Sequence, residues 1–108
     1  MAHSHSLEQL YTELGHELGT AVMGSEPEDD EEALRRGKDW FEANNRALQL
    51  AVCRDEVLER LRKLEENEAQ LVTVIIDAIL ASALIVPVVT VSRIIVCIGV
   101  DRLCSPAS

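Results

Sequence analysis

The chain reads as mainly α: a helical hairpin with a long second helix, followed by a hydrophobic C-terminal helix. Three observations predict this. Apolar residues recur at intervals of three and four from Leu7 onward. Helix-ending residues gather in Gly24-Ser25-Glu26-Pro27. From Leu71 to Val100 the composition turns apolar, with only Asp77 and Arg93 charged. The 108 residues bound at most one domain. It divides into a flexible N-terminus (1–6), an acidic helical interaction region (7–70), a hydrophobic anchor or core segment (71–100) and a tail (101–108).

The first helix is expected from about Leu7 to Met23. Ser6 and Gln9 form a capping box of the S-x-x-Q kind, in which the hydroxyl accepts from the backbone N–H three residues on. Leu7, Leu10, Tyr11, Leu14, Leu18, Ala21 and Val22 make one apolar stripe, and Gly24 is a natural left-handed stop. Pro27 suits the first turn of the next helix. The run from Glu28 to Glu32 lies at the positive end of that helix's dipole, a solvated helix start.

A second stripe runs Ala33, Leu34, Gly37, Trp40, Phe41, Asn44, Ala47, Leu48, Ala51 and Val52, then passes to Val57, Leu58, Leu61, Leu64 and Leu71. The seven-residue spacing of Leu50, Val57, Leu64 and Leu71 is heptad-like but too short for a coiled coil. One long helix from Glu28 to about Gln70 follows, with bends expected near Asn44-Asn45 or Arg54-Asp55.

Residues 71–100 admit three readings. As a transmembrane helix they would have to run through Pro87 as a kinked span, because a bilayer core needs about 20 apolar residues. As core, they would be two buried helices of a bundle. As a strand, residues 88–100 have nine β-branched members in thirteen, but only residues 71–76 to pair with. The membrane reading makes the chain tail-anchored, membrane-associated and facing the cytosol, with Cys104 at the far surface. The alternative is a cytoplasmic, all-helical adaptor.

Charge argues against nucleic acid as a partner. Residues 1–70 hold seventeen acidic and eight basic side chains, which is the whole of the net charge of −9. Asp77, Asp101, Arg93 and Arg102 cancel in the rest. Such a surface repels phosphate backbones. Cys53, Cys97 and Cys104 are odd in number and unrelated in spacing, which suggests reduced thiols in a cytosolic compartment. The N-terminus lacks the pattern of a secretory signal.

No catalytic constellation, cofactor motif or metal-ligand spacing emerges. His3 and His5 flank Ser4 near the terminus, and His16 lies beside the first stripe. There is no G-x-S-x-G and no glycine-rich phosphate loop. The segment from Glu13 to Val22, followed by Val74 to Leu84, resembles the all-helical nucleotide pyrophosphohydrolases. That resemblance implies a divalent ion held by Glu13 and Glu17 with Glu65, Glu68 or Asp77. The family's E-x-x-E is E-x-x-x-E here, and Val74 stands where its second motif has glutamate. Leu7, Tyr11, Leu14, Gly15, His16, Glu17 and Leu18 are similar in order to the groove-binding helix of apoptosis regulators, with His16 in place of the aspartate. That resemblance implies a protein groove as partner.

The expected function is therefore non-enzymatic: a protein-interaction module, binding a partner or itself through helical faces. The candidate contact residues are Leu7, Tyr11, Leu14, Leu18, Trp40, Phe41 and Leu48. A membrane is the further expected partner, through residues 71–100.

Overall fold

The computed structural model describes residues 6–22, 29–64 and 67–105. They form seven helices and no strand: α1 (Leu7–Val22), α2 (Asp30–Ala43), α3 (Asn45–Val52), α4 (Asp55–Leu64), α5 (Glu68–Ala81), α6 (Val88–Ile98) and α7 (Val100–Leu103). The chain is mainly α, as its periodicity predicts. The expected stop at Gly24 and start at Pro27 lie outside the described residues, as do His3 and His5.

Ser6 caps α1 as its sequence suggests, its Oγ accepting from the Gln9 N–H at 3.1 Å. α1 and α2 then pack backbone to backbone. A methyl group added at Gly15 would collide with the Ala33 carbonyl, and one at Gly37 with the Tyr11 carbonyl. Only residues without a side chain allow this approach. Beside the seam the Tyr11 and Phe41 rings meet edge to face, centroids 5.9 Å apart.

The expected long second helix is three helices. It stops at Asn44, whose side-chain N–H donates to the Trp40 carbonyl at 2.8 Å and so competes with the helical ladder. It stops again at Cys53 and Arg54, and α4 restarts with Asp55 and Glu56 in its first turn and Arg62 and Lys63 in its last. A bend of one continuous helix was expected at one or the other of these places; both are breaks between separate helices. The third break was not expected: Asn67 caps α5, its Oδ1 accepting from the Gln70 N–H at 3.2 Å.

The hydrophobic stretch is neither one kinked helix nor a strand. α5 ends at Ser82, Ala83 takes a positive φ of 60°, and the chain turns through Pro87 before α6 begins. Proline lacks the N–H that a continuing helix needs and disfavours helical geometry in the residue before it. Among the described residues, no helix is long and apolar enough to cross a membrane. The tail-anchor reading of residues 71–100 is corrected accordingly. The β-branched run 88–98 is helical because strand preference reflects packing context. Here α6 packs on α5 and α1. Its spacing buries Val91, Ile94 and Ile95 completely, alongside Ile75 and Ile79 of α5.

Leu10, Leu14, Phe41, Leu48, Val52, Val57 and Leu61 join these residues in one core, which Leu103 closes. α7 is held there twice. The Gln49 side chain donates to the Leu103 carbonyl at 2.8 Å, and Cys104 is bonded to Cys53. The two cysteines lie 51 positions apart in sequence with Cα atoms 5.6 Å apart. This corrects the expectation of three reduced thiols. Cys97 alone of the three is free.

Candidate interaction surface

The α5–α6 turn is apolar and turned outward. Ser82 ends α5, its hydroxyl donating to the Ala78 carbonyl at 3.2 Å, and Ala83 reverses the backbone. From there side chains alternate. Leu84 and Val86 pack against the core, and Ile85 between them is 98 % exposed. Leu80, on the last turn of α5, is 57 % exposed, and Val89, on the first turn of α6, is 49 % exposed. Covering one such side chain is worth about 1.5–3 kcal/mol. Scattered exposed apolar residues are ordinary, whereas here three lie at the joined ends of one helical pair.

One charged residue flanks each side. Asp77 lies one turn before Leu80, and Arg93 one turn after Val89; both are exposed. Neither has a hydrogen bond or ion pair among the described residues. The turn itself carries no charge between Asp77 and Arg93.

The residues expected to bind a partner lie elsewhere, mostly inside. Leu14, Phe41 and Leu48 are buried in the core, and Leu7, Tyr11, Leu18 and Trp40 are half-buried against it. The stripe that resembles a groove-binding helix faces α2 and the core of its own chain. Glu17 receives a hydrogen bond from Thr90 Oγ1 at 3.0 Å, tying α1 to α6. Glu13, Glu17, Glu68 and Asp77 are not gathered as metal ligands; no group of three or more such residues is found among the described residues. Glu65 lies outside them. His16 Nε2 sits 2.9 Å from Asp30 Oδ1, an exposed pair that joins α1 to the start of α2.

Burial, and next the Glu68 carboxylate, push the Cys97 thiol above its usual range. At neutral pH it is a thiol rather than a nucleophilic thiolate. Tyr11 is raised too, first by burial, then by Glu42 and Cys97. A hollow of about 670 Å³ lies between α4 and the C-terminal helices, with Leu58, Leu61, Leu71 and Val96 among its lining and Arg62 and Arg102 beside them. It is open, and no buried polar group points to a ligand there. The outward surface at the α5–α6 turn was hidden in the sequence because its residues read as part of a continuous apolar run. Pro87 was its one visible signal.

No protein-family model, curated protein or solved structure matches the chain.

Proposed function

We propose that this chain is a non-enzymatic interaction module that presents the α5–α6 turn to a protein partner. One observation carries the reading: Ile85 is almost fully exposed at the tip of a turn whose neighbours are apolar. The helices behind it supply a firm base, since Ile75, Ile79, Ile94 and Ile95 are wholly buried. A contact of this kind needs a central apolar anchor ringed by polar groups. Ile85 with Leu80 and Val89 fits the anchor, and Asp77 and Arg93 fit the rim. Residues 71–100 serve this reading as core and contact surface.

The test is a photo-crosslinking residue in the full-length chain, placed at Ile85 in one version and at the exposed Glu59 of α4 in another. The expected outcome is covalent adducts from position 85 that are absent from position 59. Equal labelling at both, or none at either, would sink the reading.

A further inference from the structure

We infer that the partner of this surface is a second copy of the same chain, docked about a two-fold axis; this rests on the interaction reading above. A two-fold contact requires that a residue i meeting residue j on the partner be matched by j meeting i. The surface has that property in its charges. Asp77 stands one turn to one side of the apolar centre and Arg93 one turn to the other, with opposite signs and no partner in their own chain among the described residues. Placed about an axis near Ile85, each Asp77 faces an Arg93 across the interface and the apolar residues meet in the middle.

Net charge disfavours the α1–α2 face. The chain carries −9, all of it from residues 1–70. Two copies meeting through α1 or α2 would bring like charges together, which opposes association. Residues 71–108 are neutral in sum, with two acids and two bases. The α5–α6 turn is free of that repulsion; α4, with three acids and three bases, is neutral too but exposes no large apolar side chain. A lipid surface would also cover Leu80, Ile85 and Val89. It would gain nothing from the matched acid and base, however, and would draw the Asp77 carboxylate toward hydrocarbon.

The experiment is sedimentation of the purified full-length chain across a concentration series, beside Asp77→Arg, Arg93→Asp, the double reversal and Ile85→Asp. All three sites are exposed, and circular dichroism verifies that each variant keeps its helix content. The expected result is a reversible dimer. Each single reversal puts like charges opposite one another and weakens it at least about tenfold. Mixing the two single variants, or combining both reversals in one chain, restores it, and Ile85→Asp abolishes it. A wild-type chain that stays monomeric throughout overturns the inference, as does a dimer indifferent to these changes. A monomer that floats with phosphatidylcholine vesicles through Ile85 overturns it in favour of lipid. The crosslinks from position 85 keep the two ideas apart. Adducts of twice the 11.9 kDa chain mass support self-association, whereas adducts of other masses keep the interaction reading and refute the second copy.

Discussion

The two ends of this chain solve the same problem, holding two helices together, with opposite materials. α1 and α2 meet through the smallest residues available: Gly15 against Ala33, and Gly37 against the Tyr11 carbonyl. α5 and α6 meet through branched aliphatics, with Ile75, Ile79, Ile94 and Ile95 fully enclosed. A seam of small residues gains close backbone approach and leaves the outer faces to charge, which in α2 begins with Asp30, Glu31 and Glu32. A seam of large residues gains buried area, but at the α5–α6 turn its apolar composition spills onto the surface at Leu80, Ile85 and Val89. Charged and apolar surface are thus separated along one short sequence.

The contrast predicts that the two seams fail in opposite directions, one by losing volume and the other by gaining it. Ile79→Ala should cost about 3 kcal/mol by leaving a cavity among rigid neighbours. Gly15→Ala adds a single carbon and should still cost about 2 kcal/mol. The colliding atom is a backbone carbonyl that cannot swing aside, and better helix propensity offsets only part of the clash. Urea denaturation of both variants measures this. If Gly15→Ala were stabilising, the small-residue seam would be slack and the comparison would collapse.

A smaller effect of opposite sign belongs to the large-residue seam. Ser92 of α6 is completely buried, and its hydroxyl finds no hydrogen-bond partner among the described residues. Ser92→Ala removes an unsatisfied group at almost constant shape, and thermal unfolding should show a gain of about 1 kcal/mol. A loss of stability would mean that the hydroxyl has a partner, such as a bound water.

The weakest effect lies where the two seams join. Tyr11 of α1 and Cys97 of α6 both hold their protons more tightly when folded, mainly because burial disfavours their charged forms. Their folded values lie above the ordinary 10.0 and 9.0, so the unfolded chain releases these protons first as pH rises. Their stabilising contribution is complete below those ordinary values and is lost as pH climbs through the folded ones. Unfolding followed from pH 8 to pH 11 should show stability falling at the alkaline end. The decline should be shallower in Tyr11→Phe and Cys97→Ser; an unchanged slope in both would contradict the assignment.

How far the sequence reveals this arrangement depends on whether a feature is announced by a change of residue type. Ser6 and the breaks near Asn44 and Arg54 are legible because polar, cap-forming residues interrupt an apolar period. Asn67 is a cap of the same kind. It goes unseen because Glu65, Glu66 and Glu68 favour helix and Leu64 and Leu71 keep the heptad spacing across it. The turn at 82–87 is harder still. It is as apolar as the helices it joins, and Ala83 adopts a left-handed conformation that nothing in its chemistry advertises. The exposed apolar side chains are hidden there for the same reason: hydropathy says that Ile85 is apolar, not that it faces outward. Nor does spacing reveal that Cys53 and Cys104 meet, because that depends on α7 folding back to the α3–α4 joint.

The bond between those cysteines makes residues 53–104 a closed ring, with α1, α2 and α3 as an arm outside it. A cut in the backbone at the 82–87 turn, beside the exposed Ala83 or Ile85, would therefore release no fragment until the bond is reduced. Tension applied at the two ends would travel through the sulfurs and bypass the 50 residues from 54 to 103. At about 3.5 Å per extended residue, roughly 175 Å of chain would stay slack. Force would strip away the acidic arm first and leave the loop that carries the apolar turn looped and unstretched.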